Sequence, residues 1–227
     1  MTAVRRAAPA GLGSLYPFLY DGAPAPDATA ALVASTEAKL RDTARLRAEV
    51  LTEQAAALRR CAATLAAALH RGAHLYAFGN GGSATDAQAC ADLYACPPVP
   101  GPNLPATALG GDGAVLSALA NDVGVEAVFA RQLAALARPG DIAVGFSTSG
   151  NSPNLVAAFA QARRIGMVTV GFAGGDGGAM ARAQLDHLFV VRSPSVHRIQ
   201  EAQTTACHVL WELTTAGATG SAPEHRG

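Results

Sequence analysis

Residues 73–94 read AHLYAFGNGGSATDAQACADLY. Ala73 to Phe78 form a mostly apolar run with His74 as its one polar member, short enough for a strand and without the alternation of a sheet that faces water. The run passes straight into Gly79-Asn80-Gly81-Gly82-Ser83, and then into a helix predicted from about Ala84 to Tyr94. A buried strand, a glycine turn and a helix in direct succession are the parts of a parallel sheet covered by helices.

The same rhythm continues downstream. Cys96 to Gly101 is Pro-rich and reads as a loop. Strands are predicted at Ala106–Leu109, Asp141–Phe146, Met167–Phe172 and His187–Val191. Helices are predicted at Gly113–Leu119, Val125–Ala137, Pro153–Ile165 and His197–Thr215. Upstream, Leu32, Val33, Leu40, Leu46, Val50, Leu51, Leu58, Leu65 and Leu69 recur at helical spacing between Asp27 or Thr29, either of which can cap the start, and Gly72. This pattern predicts two helices broken near Glu49–Thr52, or one long bent helix. The expected architecture is α/β: a three-layer sandwich with a five-stranded parallel sheet and N-terminal packing helices. Residues 28–217 form one domain, including the helices over 28–70. The Pro- and Gly-bearing residues 1–27 read as an arm, and 218–227 as a flexible tail.

Composition narrows the function. Lys+Arg and Asp+Glu balance at 17 each, which lacks the basic excess of a nucleic-acid binder. Lys39 is the one lysine and sits in a polar helical stretch, so a catalytic lysine or Schiff base is nearly excluded. The cysteines, Cys61, Cys90, Cys96 and Cys207, form no C-x-x-C pair, and reduced thiols are expected. Nothing reads as a signal peptide, and no stretch reaches the roughly 18 apolar residues of a membrane span. A soluble, cytoplasmic protein is the expectation. Aromatic residues make up 5% of the chain, so Ala, Val and Leu are expected to fill the core. A half-hydrophobic chain with no net charge is further expected to share apolar surface with other subunits.

In a parallel α/β sheet, ligands bind outside the C-terminal ends of the strands. Two polar loops fall there. Gly79 to Ser83 opens a helix, where backbone N–H groups and the helix dipole favour an anion. It is neither a Walker A loop nor a dinucleotide fingerprint. Ser147-Thr148-Ser149-Gly150-Asn151-Ser152 puts four hydroxyls into six residues between a strand and a helix. Such a nest can hold a phosphate dianion without Lys or Arg. A phosphate at one end and hydroxyls along the length describe a sugar phosphate.

These motifs resemble the SIS (sugar isomerase) family in its sedoheptulose 7-phosphate isomerase branch. The likeness rests on residues 78–87, on Asp112 with Ala120-Asn121-Asp122-Val123-Gly124, on Gly140-Asp141, on residues 147–152, and on Arg198-Ile199-Gln200-Glu201; it spans roughly residues 30–215. It implies a homotetramer with interfacial sites. It implies that Ser147, Thr148, Ser149 and Ser152 hold the phosphate, and that Asn80, Gly81, Gly82, Ser83, Asp112 and Gln200 face the sugar. His208, Asp112 and Gln200 are the expected catalytic residues.

The family also carries a His and a Glu four residues apart on the helix after the glycine turn, and a Gln and a His eight apart on the last helix, able together to bind zinc. Here the second pair stands as Gln200 and His208, but Ala89 and Leu93 occupy the first pair's positions. Asp92 and Cys90 are each displaced by one residue, which is about 100° around a helix. No cofactor is expected, zinc included, because zinc seeks about four donors. The expected function is a ketose–aldose phosphate isomerase acting through an enediol on sedoheptulose 7-phosphate or a related C7/C8 sugar phosphate. Asp92 and Glu201 could support His208, while His197 and Arg198 could tune substrate choice. The competing class is a non-catalytic SIS module that binds a sugar phosphate or scaffolds a protein partner.

Overall fold

A computed structural model describes residues 28–98 and 103–219. The expected arm over 1–27, Asp27 as a cap, part of the Pro-rich loop and most of the tail lie outside the described residues. The chain divides after Asp42 into two units. The described part of the first is the start of helix α1 (Ala28–Glu53), where Leu32, Val33 and Leu40 are exposed. Thr29 lies inside α1 rather than capping it.

The second unit contains the rest of α1, then α2 (Ala55–His70), β1 (Leu75–Gly79), α3 (Gly82–Ala95), β2 (Ala106–Ala108) and α4 (Gly113–Asp122). A short 3-10 turn leads into α5 (Val128–Leu136), β3 (Ile142–Ser147), α6 (Pro153–Ile165), β4 (Val168–Gly174), β5 (His187–Val191) and α7 (Val196–Thr219). All five strands are parallel, in the order β2-β1-β3-β4-β5. The α/β sandwich with a five-stranded parallel sheet is thus the observed fold. One buried cluster joins α2, α3 and α7 to one face of the sheet; a second joins α5 and α6 to the other.

The helix break differs from the sequence reading. It falls at Gln54, not at Glu49–Thr52. Gln54 donates from Nε2 to the Val190 carbonyl at 2.9 Å and accepts the Val190 N–H on Oε1 at 3.2 Å. Val190 lies on the outer edge strand β5, whose main-chain groups need partners. The side chain that satisfies the edge sets the break. The last helix also runs on past Thr215, to Thr219.

The core departs from expectation too. Phenylalanines are few, yet Phe78, Phe129, Phe146, Phe159, Phe172 and Phe189 are all fully buried. Phe146, Phe172 and Phe189 stand side by side on β3, β4 and β5, with ring centroids 4.8 and 5.2 Å apart. On the opposite face, Phe78 packs on Phe129 and Phe159, and Gly145 beside it leaves the room: a Cβ there would come within 2.6 Å of Phe159. The few aromatics carry the centre of both layers, and Ala and Leu fill the helix seams.

Candidate active site

The strand order reverses direction between β1 and β3. In such sheets the crevice above that switch point is where ligands bind. The two polar loops flank it, one following β1 and the other following β3. They are tied together by side chains: Asn80 Nδ2 donates to Asn154 Oδ1 at 2.9 Å, and Asn154 Nδ2 donates to Asn80 Oδ1 at 2.8 Å. Asn154 is buried in the first turn of α6, while Asn80 is exposed.

The 147–152 loop is organised from within. Ser147 Oγ accepts the Gly150 N–H and lies 3.1 Å from Ser152 Oγ. Ser149 Oγ accepts the Asn151 N–H, and Asn151 Oδ1 accepts the Ala179 N–H at 2.9 Å. Gly150 has φ +65°, and a Cβ there would run into the Gly177 carbonyl, so this turn and the 174–178 glycine segment pack backbone against backbone. Ser147 is buried, Thr148 and Ser152 are half-buried, and Ser149 is exposed. Pro153 at the first position of α6 gives up no hydrogen bond, and the helix N-terminus adds its dipole to the hydroxyls.

Beside the glycine turn lies a cavity of about 380 Å³, lined by Arg47, Gly82, Thr85, Asp86, His197, Gln200, Glu201 and Thr204. Asp86, one turn into α3, accepts from Gln200 Nε2 and from Thr204 Oγ1, each at 3.3 Å. Burial pushes the Asp86 carboxyl above its ordinary value, and these two hydrogen bonds pull the other way. Glu201 is held differently: its Oε2 accepts the Thr43 hydroxyl at 2.6 Å and lies 3.8 Å from Arg198. Gly82 is closely covered by Gln200, whose amide nitrogen sits where a Cβ would be.

The structure thus brings Gly82 and Gln200 together with Asp86, a residue that sequence reasoning left out of the site. Its signal was available: a carboxylate at the start of α3, three residues beyond Ser83. Gly81 bends the turn with φ +55°, and Ser83 is buried beneath it. Asn80 lines a separate cavity of about 320 Å³ with Gly79, Gly81 and Asn154. Asp112 caps α4, accepting the Ala114 and Val115 N–H groups, and lines a largely apolar groove of about 750 Å³ along β2, α4 and α5. His208 is exposed and lines none of these three cavities; its Nδ1 donates to the Thr204 carbonyl at 3.2 Å. Asp92 is an exposed acceptor for Gln88.

The family resemblance implies a zinc-binding set, and the residues present do not make it up. Ala89 and Leu93 offer a methyl and a buried isobutyl group where two donors would stand. Gln200 turns its amide nitrogen to Asp86. Among the described residues no group of three or more His, Cys, Asp or Glu side chains is placed to hold a metal ion.

Comparison with known proteins agrees with this fold. The SIS domain family model matches residues 40–174. Phosphoheptose isomerase of Desulfovibrio desulfuricans is 51% identical over 179 residues, covering 78% of this chain and 84% of that protein. The Aquifex aeolicus phosphoheptose isomerase is 45% identical over 154 residues, covering 67% of this chain and 80% of that one. Among solved structures, phosphoheptose isomerase from Neisseria gonorrhoeae superposes with a TM-score of 0.74 at 34% identity, covering 80% of this chain and 97% of its own. The Francisella tularensis phosphoheptose isomerase gives 0.77 at 28% identity, covering 81% and 97%. From its fold, its two switch-point loops and these likenesses, the chain belongs to the SIS domain family, in its phosphoheptose isomerase branch.

Proposed function

We propose that the protein is a ketose–aldose phosphate isomerase acting on sedoheptulose 7-phosphate or a closely related C7/C8 sugar phosphate. The observation that carries this reading is the hydroxyl-rich 147–152 loop at the β1/β3 switch point, with an acid-lined cavity beside the companion glycine turn. Ser147 shapes the loop, and Thr148, Ser149 and Ser152 present hydroxyls to the phosphate at the N-terminus of α6. The sugar then runs toward Gly82, Asp86 and Gln200. Isomerisation moves one proton between C1 and C2 through an enediol, and it needs a base near C1 and donors for the oxygens. Calorimetric titration with sedoheptulose 7-phosphate, followed by an isomerisation assay over C6–C8 ketose phosphates, tests the reading. Binding with turnover of a heptulose phosphate supports it, and absence of binding at millimolar ligand removes it.

A second reading, a non-catalytic sugar-phosphate module, draws on Ala89 and Leu93, which leave two polar positions of the family apolar. Binding without turnover would favour it. The exposed Leu32, Val33 and Leu40 of α1 support a homotetramer, for which sedimentation is the test. Four free cysteines fit the reducing cytoplasm, and among the described residues no helix is long and apolar enough to cross a membrane.

A further inference from the structure

We propose that Asp86 is the catalytic group that carries the proton between C1 and C2, in a site that takes no divalent metal. The inference rests on the isomerase reading above and names the chemistry of that same site.

Two carboxylates line the cavity at the glycine turn, Asp86 and Glu201. Glu201 is engaged by the Thr43 hydroxyl at 2.6 Å and faces the Arg198 guanidinium at 3.8 Å. Both contacts fall on the same Glu201 oxygen, Oε2, which is therefore already engaged. The hydrogen bonds to Asp86 come from two neutral groups, the Gln200 amide and the Thr204 hydroxyl, and both are long at 3.3 Å. Such contacts orient a carboxylate without holding its charge tightly. Asp86 also stands one turn into α3, the helix that follows the turn facing the switch point. His208 and Asp112 lie outside this cavity, and the second of these already spends its carboxylate on the α4 cap.

A metal in this site would supply Lewis-acid polarisation of the substrate carbonyl. Ala89 and Leu93 remove two of the donors it would need. The chemistry balances without it. The Asp86 carboxylate takes a proton from C1 of the ketose; the C–H electron pair forms the C1=C2 bond, and the carbonyl pair moves to O2. The O1 proton passes to O2, C1=O forms, and the protonated Asp86 returns its proton to C2. The carboxylate is regenerated, and no oxidant or reductant is consumed. Gln200 and Thr204 are positioning residues that keep Asp86 aimed into the cavity.

The test compares the purified full chain with Asp86→Asn, using sedoheptulose 7-phosphate in deuterated water. Magnetic resonance follows exchange at C1 and product formation; calorimetry follows binding; elemental analysis measures bound zinc. The expected result is substoichiometric zinc, turnover unchanged by a chelator, and a fall of about 10²–10⁴-fold in exchange and turnover for Asp86→Asn, with substrate binding retained. Exchange by Asp86→Asn at the native rate overturns the role of Asp86 alone. Activity that a chelator abolishes and zinc restores overturns the metal-free site alone. A native chain that binds the sugar phosphate but neither exchanges nor isomerises it overturns this inference together with the isomerase reading. Should Asp86→Asn not fold, Asp86→Glu takes its place: displacing the carboxylate by one methylene is expected to slow exchange with binding kept, and an unchanged rate overturns the assignment.

Discussion

The carboxamides of Asn80 and Asn154 exchange two hydrogen bonds, 2.9 and 2.8 Å long, across the crevice between β1 and β3. One residue is exposed and the other buried. The pair joins the two loops of the candidate site from below, 74 residues apart in sequence.

Removing the exposed member strands the buried one. Asn80→Ala leaves the Asn154 amide without that partner, at a cost of about 1–3 kcal/mol. Asn154→Ala frees only a solvent-facing Asn80 amide but opens a small void. The two changes should be non-additive, with a coupling of about 0.5–3 kcal/mol. Urea unfolding of the two single variants and the double variant measures it; additive losses would show that the pair does not act as a unit.

Gly150 holds φ +65°, and a Cβ built there would run into the Gly177 carbonyl. Gly150→Ala pays about 1–3 kcal/mol for the left-handed conformation, and its Cβ must also push two backbones apart. Lower melting temperature and loss of sugar-phosphate binding are expected together. A variant that binds as tightly as the native chain would separate this turn from the phosphate site.

Gly82→Ala probes the other loop. Its Cβ would displace the Gln200 amide, the movable end of a flexible side chain, so stability should change by less than about 1 kcal/mol. The Gln200–Asp86 contact should break, and kcat should fall more than binding does. Steady-state kinetics beside calorimetry separates the two effects; a fall in binding alone would place Gln200 in substrate capture instead.

Burial raises the Asp86 carboxyl above its ordinary 3.8, so at intermediate pH the folded chain keeps a proton that the unfolded chain has released. The stability linked to this group is therefore complete below 3.8 and is lost as pH rises through the raised value. Asp86→Asn carries no charge to bury. It should melt above the native chain at neutral pH, and the difference should shrink on acidification. Thermal melts across that range check the sign, and a native chain that outlasts Asp86→Asn at neutral pH would contradict it.

Thr204 donates to the charged form of Asp86 and so lowers its pKa. Thr204→Val should move the acid limb of kcat/KM to higher pH and, because Asp86 loses one of its two positioning contacts, lower kcat as well. An unmoved limb would mean that another group governs it.

The apolar run into Gly79–Ser83 and the hydroxyls of residues 147–152 determined, by themselves, a parallel α/β sheet with two anion-friendly turns at its strand ends. Those features are local: chain direction, strand period and turn chemistry are written in neighbouring residues. Only the tertiary structure decided that α3 and α7 lie against each other so that Asp86 meets Gln200 and Thr204, 114 and 118 residues downstream. The same holds for Gln54, which breaks a helix because β5 is an edge strand, and for the six phenylalanines gathered into both layers of the core. Each of these depends on which elements pack together, and no window of sequence contains that information.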